Sequence, residues 1–315
     1  MNPLLTMTPD VCAALEAGRP VVALESTLIA HGMPYPQNLE VAQQLGQAVR
    51  DEGAVPAIIA VGHGRILVGL GDDDLQRIAE ARDVAKISSR EIAAFLASGK
   101  LGATTVAATM ACAHRAGIRM FATGGIGGVH RGAESTFDIS ADLEEFARTL
   151  VAVVSAGAKA ILDLPKTLEY LETKGVPVIG YGTDIFPAFF SRSSGLALQL
   201  RCDTPDDVAA VLLMQDRLSF AAGTLIANPI PKEHALPEAE VEAAIGRAVS
   251  EANAKGISGK DVTPYLLAAL VKLTAGRSLA ANRALAEHNA RVGARIAVAY
   301  ARARQLERTT GGNSQ

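Results

Sequence analysis

The chain has 315 residues, 49% of them hydrophobic and 20% charged, with a formal net charge of −3. That is the composition of a globular protein able to bury a large core, and the interspersed charges give no basic face for nucleic acid or an anionic membrane, so a small molecule is the expected partner. Cys12, Cys112 and Cys202 are far apart and form no C-x-x-C pair, which suggests neither a disulfide framework nor a zinc site and predicts a reducing, cytoplasmic setting.

The first residues, Met1-Asn-Pro-Leu-Leu-Thr-Met7, lack a basic segment followed by an apolar core, and no uncharged stretch along the chain is long enough for a membrane span. The first strand is expected at Val21 to Leu24. A helix follows from about Asn38 to Glu52, with Leu39, Ala42, Leu45 and Val49 on one face. Short apolar runs recur at Ala57–Val61, Arg65–Gly69, Val84–Ile87, Met120–Ala122, Val151–Ser155, Val178–Gly180 and Thr224–Ala227, with helical patterns mostly between them. Gly62-His63-Gly64 between two of these runs predicts a hairpin, hence a mixed sheet. Asp72-Asp-Asp-Leu75 and Thr204-Pro-Asp-Asp207 read as helix starts, because carboxylates and a first-turn proline suit the unpaired amides there.

From about Pro237 the pattern is helical, over Val241–Ala254, Pro264–Leu273 and an alanine-rich stretch from Leu279 to Leu306. With 4% aromatic residues and no tryptophan, the core must consist of Ala, Val, Leu and Ile, as in helix-covered sheets. The expectation is a three-layer α/β/α sandwich with a mixed central sheet and a helical C-terminal region. It forms one domain over residues 1–308, with 309–315 as a disordered tail.

Lys159 lies in Val151-Ala-Val-Val-Ser-Ala-Gly-Ala-Lys-Ala-Ile-Leu-Asp163, a segment otherwise built for burial. Burial favours the neutral amine, a nucleophile able to form a Schiff base; the other reading is a lysine that reaches solvent or pairs with Asp163. Glu25 ends the first strand, where ligands of α/β sheets bind, and suits a general acid or a cap on the next turn. His31 beyond it reads as a loop residue or a proton carrier. The run Thr123-Gly-Gly-Ile-Gly-Gly-Val-His-Arg-Gly132 follows a strand and reads as a loop that aims amides at an anion such as phosphate, beside His130 and Arg131, or as a loop with no ligand. Asp138, Ser140 and Asp142 are spaced like hard oxygen donors for Mg²⁺ or Mn²⁺, or as a cap on the helix of Leu143–Leu150. Lys86 is a second strand lysine, solvated at an edge or close enough to repel Lys159.

Taken together, Glu25–Asn38, Gly102–Val106, Phe121–Ala133, Phe137–Asp142, Ala156–Asp163 and Ala227-Asn-Pro-Ile-Pro231 closely resemble the pseudouridine-5′-phosphate glycosidase family, which includes proteins named for indigoidine synthesis. The resemblance spans roughly Thr8 to Arg302. It implies a C-glycosidase or lyase that reversibly converts pseudouridine 5′-phosphate and water into uracil and ribose 5-phosphate, with Mn²⁺, for which Mg²⁺ substitutes, in a homotrimer. A carbon leaving group has no lone pair to protonate, so the two-carboxylate route of ordinary glycosidases does not serve. An opened ribose instead exposes C1′ to Lys159, and the iminium accommodates cleavage of the bond to uracil C5. By resemblance Lys159 is the covalent nucleophile and Glu25 the proton donor. Lys86, Val106, Ser140, Ala141 and Asp142 are substrate contacts, Thr123, His130 and Asn282 hold the phosphate end, and Asp138 is the metal ligand.

Overall fold

The computed structural model describes residues 3–81, 83–257 and 262–311. Its strands are β1 (Leu5–Met7), β2 (Val21–Glu25), β3 (Val55–Gly62), β4 (Arg65–Val68), β5 (Ala85–Ile87), β6 (Gly102–Thr104), β7 (Met120–Ala122), β8 (Ala152–Ser155), β9 (Val178–Tyr181), β10 (Leu200–Cys202) and β11 (Thr224–Ala227). The helices are α1 (Pro9–Glu16), α2 (Thr27–Gly32), α3 (Gln37–Asp51), α4 (Asp72–Glu80), α5 (Ile92–Ser98), α6 (Val106–Arg115), α7 (Ala133–Thr136), α8 (Ala141–Phe146), α9 (Leu164–Thr173), α10 (Pro205–Arg217), α11 (Glu238–Ala254), α12 (Val262–Leu273) and α13 (Arg277–Gly311).

All eleven strands join one sheet in the order β1-β4-β3-β2-β7-β8-β11-β9-β10, with β6 paired to β3 and β5 to β6. The β3–β4 and β3–β6 pairs are antiparallel and the others parallel. The expected hairpin is therefore present, with Ile59 opposite Val68 and Gly62 opposite Arg65. His63 and Gly64 in its turn both have positive φ, as a tight reversal requires. The central strands are buried on both sides, which is why they read as continuous aliphatic runs. The strands absent from the sequence reading, β1, β6 and β10, have three residues each.

Helices cover both faces: α3, α10 and α13 pack together across one, and α6 packs with α8, β2 and β3 on the other. Gly293 lets α13 lie directly on the sheet, since a Cβ there would stand 3.2 Å from the Ala122 Cβ. Both expected helix starts form: Gly71 precedes α4, with acidic residues in its first turn, and Thr204 and Asp207 make a reciprocal capping box on α10. The last helix continues through Gly311, so residues 309–311 of the expected tail are helical. Thr309 returns its hydroxyl proton to the Leu306 carbonyl at 2.8 Å. Residues 312–315 lie outside the described residues. All three cysteines are free.

Candidate active site

The carboxyl ends of β2, β7, β8 and β11 point one way, because these strands are parallel, and the loops leaving them meet there. Glu25 is the last residue of β2 and is partly buried; Thr27 at the start of α2 donates a hydroxyl hydrogen bond to one of its oxygens and Thr123, just after β7, donates to the other. The carboxylate is thus aimed by two strand ends rather than left as a mobile surface group. The neighbouring Ser26 turns inward, where its hydroxyl donates to the Ile59 carbonyl at 2.7 Å and accepts from the Thr104 amide at 2.8 Å, locking β2 to β3 and β6 beneath the site.

Beyond β7 and β8 the chain keeps pairing after the strands end. Ala156 N–H donates to Gly124 O at 3.0 Å, Ile126 N–H to Gly157 O at 3.1 Å, and Lys159 N–H to Ile126 O at 3.0 Å. This ladder fixes the Lys159 backbone. Its side chain is partly buried, and among the described residues it has no ion-pair partner. Asp163 is not its counter-ion: that carboxylate caps α9 and pairs with Lys166 at 2.9 Å.

The paired glycines of the loop are required by close contact rather than by backbone conformation. None of Gly124, Gly125, Gly127 and Gly128 has positive φ; they are glycines because side chains press on them. A Cβ on Gly127 would stand 2.2 Å from Ser140 Oγ, one on Gly125 2.4 Å from the Phe189 ring, and one on Gly128 2.5 Å from Thr167 Oγ1. Several of its amides are already satisfied internally. Gly127 N–H donates to Asp142 Oδ2 at 2.7 Å, Val129 N–H to Thr167 Oγ1 at 3.0 Å, and His130 N–H to Asp138 O at 3.0 Å. The anion this loop holds is the protein's own Asp142.

Asp142 is buried, and its other oxygen accepts the Ala107 amide at 2.9 Å, tying the first turn of α6 to the glycine loop. Ser140 caps α8, accepting the Asp142 amide at 3.3 Å, so Ala141 begins that helix. Val106 is the first residue of α6, and its amide has no partner among the described residues. The Asn282 side chain lies against Gly124, 3.3 Å from where a Cβ would be.

Charge ties the remaining residues together. Lys86, on β5, opens to solvent on one side, yet the protein packed around the rest of it pushes its amine down. The charge of Lys159 adds to this, while Glu25 and Asp142 oppose it. His130 is likewise pushed down, first by burial; Lys159 and Lys86 act in the same direction and Asp138 against it. His31 is lowered by desolvation and then by Lys86. Glu25, Lys86, His130, Asp138, Asp142 and Lys159 therefore share one electrostatic neighbourhood. Asp138 is half-exposed with His130 Nδ1 3.8 Å away. No cluster of three or more potential metal ligands occurs among the described residues. One carboxylate beside an imidazole fits a hard cation that keeps most of its waters, not one enclosed by protein.

Two buried asparagines complete the frame: Asn289, which the sequence did not single out, and Asn228 of the Ala227-Asn-Pro-Ile-Pro231 run. Asn289 on α13 is fully buried and donates to Thr123 O at 2.8 Å and Gly124 O at 3.3 Å, while Asn228, just after β11, donates to Asn289 Oδ1 at 2.8 Å. The signal was present: an asparagine inside an alanine-rich helix is a poor helix former.

The profile of the indigoidine synthase A like protein family matches residues 10–299. A pseudouridine-5′-phosphate glycosidase of Solibacter usitatus is 61% identical, covering 93% of this chain and 98% of that protein; one of Methylobacterium nodulans is 58% identical, covering 96% and 90%. Among solved structures, prealnumycin C-glycosynthase AlnA in complex with ribulose 5-phosphate is 42% identical with a TM-score of 0.91, covering 97% of this chain and 100% of that one. An indigoidine synthase A-like protein of Thermotoga maritima is 36% identical with a TM-score of 0.83, covering 90% and 94%.

Proposed function

The chain belongs to the indigoidine synthase A-like family, and from that premise we propose that it is a pseudouridine-5′-phosphate glycosidase, a lyase that reversibly cleaves the C–C glycosidic bond of pseudouridine 5′-phosphate to uracil and ribose 5-phosphate. The observation that carries this reading is Lys159, an amine without a counter-ion among the described residues, on a backbone fixed by the β7–β8 ladder and in one charged neighbourhood with Glu25 and Lys86.

In the proposed reaction Lys159 Nζ bonds to C1′ as the C1′–O4′ bond breaks, and O4′ takes the proton that the nitrogen sheds, opening the ribose. Cleavage of the C1′–C5 bond sends its electron pair to uracil C5, which takes a proton from Glu25, while the nitrogen lone pair closes the C=N bond. Water adds to that iminium, releasing ribose 5-phosphate, restoring the amine and returning a proton to Glu25. Lys86, Thr123, His130, Asn282, Ser140, Ala141 and the free Val106 amide are assigned to holding the sugar, its phosphate and the base. Asp142 acts chiefly by bracing the loop, since both its oxygens already accept amides.

Asp138, with His130 beside it, is the proposed holder of Mn²⁺, or Mg²⁺ in its place, which supplies positive charge near the substrate's oxygens. Asp138→Ala should raise the Mn²⁺ concentration for half-maximal turnover by about tenfold or more; an unchanged requirement in a metal titration moves the ligand elsewhere. We further assign the enzyme to the cytoplasm, consistent with three free cysteines, and to a homotrimer. No described helix is long and apolar enough to cross a membrane.

The solved C-glycosynthase favours a second reading, in which the same Schiff base builds a C-glycoside on another ring. The relatives at 58–61% identity favour uracil. Incubation with ribose 5-phosphate and borohydride, followed by mass analysis, tests substrate and residue together. The expected result is one reduced pentose-phosphate adduct on Lys159, absent from Lys159→Ala, which should also lose turnover by roughly 10⁴-fold or more. Full turnover by that variant removes the nucleophile from the mechanism.

A further inference from the structure

At the opposite end of β2 and β7 lies a feature the reaction does not use. Arg19 precedes β2, Arg119 precedes β7, and Arg304 and Arg308 stand one turn apart on α13; all four line an open hollow of about 190 Å³ between these elements. Its floor and walls include Val21, Ile118 and Met120 at the amino ends of the strands, and its one carboxylate is Glu16. The strand from Val21 to Glu25 separates the hollow from the proposed catalytic cleft by roughly 13 Å, at about 3.3 Å per residue.

The way its arginines are paired marks the hollow as suited to an anion. Elsewhere on α13, Arg291, Arg295 and Arg302 have carboxylate partners on α3, on Glu52 or on α10. Arg19, Arg304 and Arg308 have none among the described residues, although like charges four apart on a helix repel. Arg119 is held behind the wall by Asp216 at 3.1 Å and Gln215 at 3.2 Å, with its Nη1 buried, so the unpaired guanidinium groups that can reach the hollow are those of Arg19, Arg304 and Arg308. The Arg304 guanidinium sits 5.7 Å from the Tyr300 ring centre, which steadies it at the rim. In a chain whose net charge is −3, three guanidinium groups without ion-pair partners among the described residues, around a hollow lined by one carboxylate, are a local reversal of sign.

We propose that this hollow binds a small anion carrying linked phosphoryl groups, such as pyrophosphate or the phosphate tail of a nucleotide. Forked guanidinium groups match phosphate oxygens two at a time, and several of them match an anion of several charges better than a single carboxylate. The apolar walls leave room for part of a nucleoside beside the phosphates.

Isothermal titration of the intact protein tests this, with pyrophosphate, orthophosphate and a nucleoside triphosphate as probes and saturating ribose 5-phosphate present to occupy the catalytic cleft. Saturable pyrophosphate binding at one per chain is expected, stronger than orthophosphate, and weakened at least tenfold in Arg304→Ala/Arg308→Ala. That variant should keep its melting temperature and turnover, because both residues are exposed. If it unfolds, the single Arg308→Gln variant reads the same loss. A nucleotide that binds tighter than pyrophosphate assigns the apolar wall to the nucleoside, and equal affinity assigns the site to phosphates alone; both support the site. Absence of saturable binding, displacement by ribose 5-phosphate, or full affinity in the variants overturns it. Pyrophosphate binding does not depend on the proposed reaction, so the two readings fail separately.

Discussion

On the parallel half of the sheet, β7, β8 and β11 end in loops whose backbone is paired nearly residue by residue and braced from behind by the buried Asn289–Asn228 pair. On the mixed half, β5 and β6 are three-residue strands that deliver Lys86, exposed to solvent, and the first turn of α6. The residues assigned to bond-making, Lys159 and Glu25 with its partner Thr123, are on or beside the stiff half. The cation assigned to the substrate's charge is on the looser one. A nucleophile must be placed to within a fraction of an ångström of its attacking position, whereas a charge acts over several ångströms and tolerates a softer mount.

Glu25→Gln is the sharpest way to separate chemistry from this frame. A glutamine keeps one carbonyl to accept a threonine hydroxyl, and the other hydroxyl can turn to accept its amide, so the fold should survive. Turnover is expected to fall by about 10²–10⁴-fold, the range for losing a positioned acid. The borohydride-trapped adduct with ribose 5-phosphate should still form. Equal turnover in mutant and parent would take the acid role from Glu25.

Asn289→Ala attacks the brace instead of the chemistry. It leaves the Asn228 amide and the Thr123 carbonyl without their partner in a dry interior, while Gly124 O retains the Ala156 amide. The cost should be about 1–3 kcal/mol in a denaturant titration. Because Thr123 carries a hydrogen bond to Glu25, kcat should fall roughly 10–100-fold with KM little changed. A loss confined to KM would place Asn289 at the substrate rather than behind it.

The fold was legible where burial is continuous. The aliphatic runs of β2, β3, β8 and β11 are buried on both faces, and Thr204 and Asp207 announce α10 with side chains that bond their own backbone. The pairs β1–β4 and β9–β10 were not, because Leu5-Thr-Met7 and Leu200-Arg-Cys202 are too short for a period and owe their conformation to a neighbouring strand. In the site, residue types pointed to Lys159 and Glu25. The glycines left two readings open, since their spacing cannot tell a backbone open to a ligand from one flattened by Ser140, Phe189 and Thr167. The role of Asp142 depends on Ala107 and Gly127, which only the folded chain brings to it.

The smallest expected effect lies on the looser half. Lys86 is held below its ordinary pKa by surrounding protein and by Lys159. At any pH where both folded and unfolded chains carry the proton, the folded state therefore bears the penalty, made small by solvent screening because Lys86 is exposed. Between the lowered folded value and the unfolded value near 10.4, the unfolded chain binds more protons, so stability rises with pH and the penalty fades. Lys86→Met removes the charge and keeps the length of the side chain. It should raise KM for the phosphorylated substrate about tenfold, yet raise the melting temperature by about 1–2 °C at neutral pH. The gain should shrink toward zero as melts are repeated up to about pH 10.5. A variant less stable than the parent at neutral pH would mean that Lys86 supports the fold, and the division between a stiff chemical half and a soft, charge-bearing half would not hold.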